Sequence, residues 1–235
     1  MTKRRRHTWK LAGLLVLTGC FELTAVETTT REPRLYVSLG TGPTNQVELV
    51  LWIDPGTDPS GVATPLISDS ILVAGDMYGA DETSPNGERR YLVPDIGTPG
   101  IPLEIHVPGT ASTPIVPKLI VTPLGLATGD TLVAIRGDVA HVDWVGFGDS
   151  LPGQIVNWSW TVLTGERSVL SVSGTSLPDG RFAIPTSLFP LEATEGVLRV
   201  EGRVSSAIAL EPYGAALNRT FLRFIPFRLS SAAPQ

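Results

Sequence analysis

The sequence predicts an all-β protein, and three observations lead to this fold class. Apolar and polar residues alternate with a period of two over many short segments, as they do in half-buried strands. Segments rich in Pro, Gly, Asn and Asp separate these runs, and the chain of 235 residues holds 20 Pro and 24 Gly. No segment beyond residue 20 has a convincing apolar period of 3.6 residues. We therefore expect many short strands joined by tight turns.

The clearest alternation predicts four antiparallel strands, each with one buried and one solvated face. They are the segments NQVELVLWI (45–53), IPLEIHV (101–107), VNWSWTV (156–162) and GVLRVEGRV (196–204). Weaker alternation predicts further strands at 35–39, 70–74, 90–93, 115–122, 131–135, 139–145, 168–173, 181–184 and 219–229. At most one helical turn is expected, near residues 187–196.

These strands are predicted to form two antiparallel β-sandwich domains. The Pro/Gly-rich segment VTPLGLATGD (121–130) lies near the middle of the folded part and marks the expected boundary. We place the domains at 35–122 and 127–230, with a single larger sandwich as the alternative. The segment 20–34 before them is polar and rich in Thr and Glu, which is typical of a flexible tether.

The first 19 residues are typical of a secretory signal peptide. Basic residues at positions 3–6 precede an apolar run from Leu11 to Thr18. A run of about eight residues is shorter than the roughly 20 that a membrane-spanning helix needs. A basic start, a short apolar core and small residues at its end predict a cleaved signal peptide over 1–19.

The end of this segment, Leu17-Thr18-Gly19-Cys20, resembles the lipobox of bacterial lipoproteins. The resemblance implies cleavage between Gly19 and Cys20, a diacylglycerol on the Cys20 thiol and an acyl group on the new amine. Two or three acyl chains at one residue would hold the protein firmly on a membrane. Phe21 replaces the Asp of enteric inner-membrane retention signals, so the resemblance implies the outer membrane. The alternatives are an ordinary signal peptide with a chance cysteine and an uncleaved anchor.

The second half of the chain resembles immunoglobulin-like and fibronectin-type modules. The segment DTLVAIRGD (130–138) is followed by a strand that carries Trp144 and then by regular short strands. The resemblance is one of architecture, since the cysteine pair of true immunoglobulin domains is missing. It implies a β-sandwich and specifies no function.

Charge and cysteine content narrow the possible functions. Removal of residues 1–19 leaves 13 of the 18 basic residues against 23 acidic residues, a formal charge of −10. An acidic protein is a poor candidate for binding nucleic acid, which requires a basic face. Cys20 is the only cysteine, so a lipidated chain has no thiol for a disulfide, a metal site or a nucleophile.

The sequence predicts no catalytic residues, no metal site and no cofactor. His106 and His141 are the only histidines left after cleavage, and the alternation places both on polar strand faces. No Gly-x-Ser-x-Gly segment is present to supply a serine nucleophile. Oxygen-rich loops around Asp54 and Asp58, and at 76–82, could hold calcium, but their spacing favours plain turns.

Two further features have both a functional and a structural interpretation. Arg136-Gly137-Asp138 spells a tripeptide that some integrins recognise, but a strand end followed by a turn explains it as well. The tryptophans at 52, 144, 158 and 160 could form an aromatic platform for sugar. The alternation favours a core role for the last three, whereas Trp52 lies on the face opposite its apolar neighbours.

The expected function is that of a non-enzymatic lipoprotein of the bacterial envelope. It would bind a protein or glycan partner, or serve as a structural part of an envelope assembly. The alternative is a hydrolase that acts on an envelope polymer with a pair of carboxylates. An exposed aromatic patch or an open sheet edge would favour binding, and two close carboxylates with a raised pKa would favour hydrolysis.

Overall fold

The computed structural model describes residues 30–127, 129, 131–146, 155–176 and 181–230, and these residues confirm the all-β prediction. They form sixteen strands and one 3-10 helix, Thr186–Leu188, which lies at the edge of the segment where a helical turn was predicted. No helix among the described residues is long and apolar enough to span a membrane.

The strands follow the alternating segments of the sequence closely. In chain order they are β1 (Arg34–Thr41), β2 (Val47–Asp54), β3 (Ser70–Val73), β4 (Asp76–Gly79), β5 (Glu82–Thr83), β6 (Arg89–Val93), β7 (Leu103–His106), β8 (Lys118–Val121), β9 (Gly125–Leu126), β10 (Leu132–Ile135), β11 (Val139–Val145), β12 (Ile155–Thr164), β13 (Arg167–Ser176), β14 (Arg181–Pro185), β15 (Glu195–Leu210) and β16 (Tyr213–Ser230). The short strands β4, β5 and β9 were not predicted, because their two to four residues show no alternation of apolar and polar side chains.

Nine strands form one large sheet. Its order is β13-β12-β15-β16-β1-β2-β6-β5, and β10 pairs with the end of β16. The hairpin of β15 and β16 has sixteen paired positions and forms the centre of this sheet. β1 and β10 both pair with β16 in the parallel direction, whereas the sequence predicted antiparallel strands throughout.

Two smaller sheets pack on the same face of the large sheet, which we call the inner face. The sheet β4-β3-β7-β8 covers one half of it and the sheet β14-β11-β9 covers the other. The odd-numbered side chains of β16 point inward along its length, with Tyr213 and Leu217 in the first core and Phe221 and Phe227 in the second.

The two cores meet at Arg219, whose side chain is 2% exposed. Its Nη1 donates hydrogen bonds to the backbone oxygens of Thr122 (3.1 Å) and Gly146 (2.6 Å). Nearby, the Thr41 hydroxyl donates to the Leu124 oxygen at 2.6 Å. The chain therefore passes from one core to the other next to the predicted boundary. The large sheet continues through both halves, and the division into domains at 35–122 and 127–230 stays a prediction.

A glycine allows the second core to pack against β15. The rings of Trp144 and Phe221 lie edge to face with centroids 4.8 Å apart. A Cβ atom on Gly202 would lie 2.2 Å from the Phe221 ring and 2.6 Å from the Trp144 ring. Only a residue without a side chain leaves room for this aromatic pair on the sheet.

Candidate functional site

The candidate site is the face of the large sheet that points away from both smaller sheets, which we call the outer face. Alternate side chains of its strands point to it, and the described part of the chain places no second sheet over it. The side chains that define it are Tyr36, Ser38, Val50, Trp52, Arg90, Leu92, Asn157, Ser159, Thr161, Arg199, Glu201, Arg203, Ser205, Ala207, Ala216, Asn218, Thr220, Leu222 and Phe224.

Two aromatic residues stand side by side at one corner of the outer face. Tyr36 of β1 lies directly opposite Trp52 of β2, and the two side chains are 46% and 47% exposed. Directly opposed residues of an antiparallel pair have Cβ atoms about 5 Å apart, so the two residues are neighbours on the sheet. Large aromatic side chains usually bury most of their surface. A half-exposed pair of them on a sheet is therefore a candidate contact surface.

Small and polar residues lie on two sides of this aromatic pair, toward β16 and toward β6. Ala216 lies opposite Tyr36 on the β16 side and Ala207 lies one strand further, so the tyrosine ring has no large neighbour in that direction. On the other side Arg90 lies opposite Trp52, and its Nη1 is 3.4 Å from Oε2 of Glu82. These charged groups and Trp52 line a recess of about 170 Å³.

The other half of the outer face is polar. Asn157, Arg203 and Thr220 form one row across β12, β15 and β16. In the next row Ser205 donates a hydrogen bond to Oδ1 of Asn218 at 2.6 Å. Residues of this half line a shallow recess of about 440 Å³. The outer face thus joins an aromatic corner to an area rich in hydrogen-bonding groups.

A charged cluster lies on the outside of the smaller sheet β4-β3-β7-β8. Oε1 of Glu104 lies 2.5 Å from Nε2 of His106, and its Oε2 lies 2.6 Å from Nζ of Lys118. The Lys118 ammonium group, and then His106, hold the pKa of Glu104 below its usual value. A carboxylate with a lowered pKa is the opposite of what a general acid of a hydrolase requires.

The acidic loops use their oxygens within the protein. Oδ1 of Asp54 accepts hydrogen bonds from Arg31 and from the backbone nitrogen of Gly56, both at 2.9 Å. Oδ1 of Asp58 accepts from Ser60 and from the backbone nitrogen of Val62, and these bonds lower its pKa. The described residues contain no group of three or more His, Cys, Asp or Glu placed to hold a metal ion.

The arginine of the Arg136-Gly137-Asp138 tripeptide is half-buried and bound to a neighbouring loop. Its guanidinium group donates hydrogen bonds to the four backbone oxygens of Phe189, Pro190, Leu191 and Ala193, at distances between 2.9 and 3.3 Å. The structural interpretation of this tripeptide therefore fits its geometry better than recognition by a partner.

The structure also places the remaining candidate residues. His141 is exposed, and its strand neighbour Asp143 pairs with Arg181 at 2.6 Å instead of with the histidine. Trp144 and Trp160 are buried in the second core and Trp158 packs against it, as the alternation predicted. Gly19 and Cys20 lie outside the described residues.

The alternation of residues placed Trp52 on the outer face, and the same alternation was present for Tyr36 but was not used. Tyr36 alternates with the buried residues Leu35 and Val37 just as Trp52 alternates with Leu51 and Ile53. The pairing of β1 with β2 could not be read from the sequence, so the two aromatic residues could not be brought together.

Comparison with known proteins does not assign the chain to a family. No protein-family model matches it, and no curated protein matches it. Among solved structures, the chain is similar to the chicken CNTN1 FN1-FN3 domains, with 14% sequence identity and a TM-score of 0.25. The match covers 88% of this chain and 69% of that chain. Such a low TM-score carries no argument about fold, so the resemblance to immunoglobulin-like and fibronectin-type modules stays a prediction.

Proposed function

We propose that the protein is a lipid-anchored protein of the bacterial cell envelope that binds a glycan through the outer face of its large sheet. The observation that carries the glycan-binding role is the half-exposed pair of Tyr36 and Trp52. Aromatic rings offer an apolar surface to the C–H face of a sugar, and neighbouring polar groups bind its hydroxyls.

The composition of the outer face favours a glycan over a protein partner. The centre of a stable protein interface is depleted of charged residues and enriched in apolar ones. Here Arg90 and Ser38 adjoin the aromatic pair, Val50 and Leu92 extend its apolar surface on one side, and the Asn and Thr side chains of the polar half follow on the other. Sugars present hydroxyl groups around an apolar ring face, which matches this mixture of surfaces.

Glycan binding is tested with the full-length protein in a mild neutral detergent, on an array of oligosaccharides from bacterial envelopes. We expect binding of at least one glycan and at least tenfold weaker binding by Tyr36→Ala and by Trp52→Ala. Met77→Ala is the matched control, because Met77 is 74% exposed but lies on β4 outside this face. If the aromatic variants bind as the wild type does, or if no glycan binds, the outer face has another role.

The anchor is supported by the lipobox resemblance at Leu17–Cys20 and by the short apolar run before it. Cys20→Ala should abolish labelling with radioactive palmitate and release the protein from the membrane fraction. A Cys20→Ala protein that is still labelled and stays with the membrane would contradict lipid anchoring at this residue. Separation of inner and outer membranes on a sucrose gradient then tests the expected outer-membrane location.

A further inference from the structure

A cationic side chain lies in the polar half of the outer face, away from the aromatic pair. Arg203 is exposed on β15, with Asn157 of β12 on one side and Thr220 of β16 on the other. Asn218 lies one row further, and its Oδ1 is 3.4 Å from Nη2 of Arg203. We call Arg203, Asn157 and Asn218 the Arg203 cluster.

The positive charge of Arg203 is not balanced by the nearest acidic side chain. Glu201 lies next to it on the same face of β15, but this carboxylate is paired with Arg199 and also accepts from Ser159. Further along the row of Arg203, the next acid is Glu48, three strands away on β2. With strands about 4.8 Å apart, this carboxylate is roughly 14 Å distant. The Arg203 cluster is therefore a locally cationic site surrounded by amide and hydroxyl groups.

The cluster is too far from the aromatic pair for one sugar unit to touch both. Tyr36 and Arg203 are separated by two strand spacings and by four residues along the strand direction. At about 4.8 Å per strand and 3.3 Å per residue, their separation is roughly 16 Å. A ligand that reaches both sites must be an oligosaccharide or a longer chain.

We propose that the glycan bound by the outer face is anionic, and that the Arg203 cluster binds a carboxylate or phosphate group on a sugar unit distant from the one that stacks on Tyr36 and Trp52. This inference rests on the proposed glycan-binding function. The guanidinium fork matches the geometry of a carboxylate or a phosphate and can bind either with two parallel hydrogen bonds. The amides of Asn157 and Asn218 add donors on both sides of it.

Because the net charge of the chain is negative, an anionic glycan needs a local cationic site to bind. Without residues 1–19 the chain has a formal charge of −10, which repels an anionic polymer at long range. Capture must then depend on short-range contacts at specific arginines. Added salt screens both the repulsion and this attraction, but a bidentate contact at short range is screened less than the long-range field.

The test compares matched pairs of oligosaccharides that differ only in charge, again with the full-length protein in neutral detergent. One arm uses a galacturonic acid hexamer and its methyl ester, and the other uses a phosphorylated mannose pentamer and its dephosphorylated form, both added to the envelope glycan array. We expect the acidic member of at least one pair to bind at least tenfold more tightly. The arm that shows the preference identifies carboxylate or phosphate as the group.

Substitutions locate the preference on the face. Arg203→Gln should weaken binding of the acidic member at least tenfold more than binding of the neutral member, and so remove the preference, whereas Arg203→Lys should keep part of it. Arg228→Gln removes one exposed positive charge from the same sheet at a distance from the cluster and should leave the preference intact. Circular dichroism of each variant checks that the fold is unchanged.

Different results would overturn the anionic site and the proposed glycan binding. If neutral and acidic members bind equally, or if Arg203→Gln keeps the full preference, the anionic site is overturned while glycan binding stands. If Arg203→Gln and Arg228→Gln lower the preference equally, general charge and not the Arg203 cluster is responsible. If no glycan of either charge binds, the proposed function itself is overturned.

Discussion

Replacement of Arg136 by alanine should destabilise the second core, although Arg136 itself is not part of that core. The Arg136 guanidinium binds four backbone oxygens between residues 189 and 193. This segment begins with Phe189, whose buried ring lies 5.1 Å from that of Phe227 and 5.8 Å from that of Trp160. Loss of the arginine leaves these carbonyl groups without their donors and loosens the segment that holds the Phe189 ring.

The size of the effect follows from the number and the exposure of these bonds. A hydrogen bond to a charged group contributes about 1.5–3 kcal/mol, and solvent reduces this value where the groups are only partly buried. The hydrogen bonds to the backbone oxygens of Phe189 and Ala193 are the shortest of the four, at 3.0 and 2.9 Å. Counting mainly these two, we expect Arg136→Ala to lower the free energy of unfolding by about 3 kcal/mol. Arg136→Lys should lower it by about 2 kcal/mol, because an ammonium group lacks the planar fork.

Urea denaturation followed by tryptophan fluorescence measures this effect on the full-length protein in detergent. Arg228→Ala is the control, because it removes an exposed arginine from the sheet and should change the free energy of unfolding by less than about 0.5 kcal/mol. If Arg136→Ala and Arg228→Ala have the same small effect, the four bonds do not stabilise the loop. The guanidinium group would then be available for recognition of a partner.

Three further predictions concern stability and its dependence on pH. Gly202→Ala should lower the free energy of unfolding by about 3 kcal/mol, because the added methyl group would overpack against the rings of Phe221 and Trp144. Gly79→Ala is the control, because its Cβ would meet nothing within 4 Å, and it should change the free energy of unfolding little in the same urea experiment. The lowered pKa of Glu104 stabilises the fold above the ordinary value of 4.5. The stability difference between the wild type and Glu104→Gln should therefore be present at pH 7 and be lost as the pH falls below 4.5 through the lowered pKa of Glu104. Burial raises the pKa of Tyr91 to about 12, so the stability of the wild type should fall as the pH rises above the ordinary value of 10. Tyr91→Phe should reduce that fall and remove a late component from the absorbance titration of the phenols.

The alternation of residues predicted thirteen of the sixteen strands and the faces on which the tryptophan side chains lie. Trp160 and Val162 were assigned correctly to a core, and Trp52 was assigned to the opposite face, because a period of two is visible in a single strand. The sheet order was not predictable in the same way. β1 pairs in parallel with β16, about 180 residues later, and no local pattern encodes such a distant partner.

The candidate site could not be predicted for the same reason. Tyr36 and Trp52 are neighbours only because β1 and β2 pair in the observed register, and a shift by one residue would place Tyr36 beside a buried leucine or isoleucine. The Arg203 cluster depends on three strands that come together from different parts of the sequence. A site made by neighbours on different strands can be predicted only when the register of those strands is known. A site made by consecutive residues can be predicted without it.

The length of the central hairpin explains why a binding face exists in this fold. β15 and β16 have 16 and 18 residues, about three times the usual strand length, because they pass beneath both smaller sheets. Seven of the odd-numbered side chains of β16, all except Arg219 and Arg223, thereby belong to one of two cores on the inner face. The intervening side chains carry no packing constraint from a covering layer, so exposed aromatic, amide and arginine side chains can be accommodated there at little cost in stability. The two cores thus hold the strands in register, and this register fixes the spacing between the aromatic pair and the Arg203 cluster.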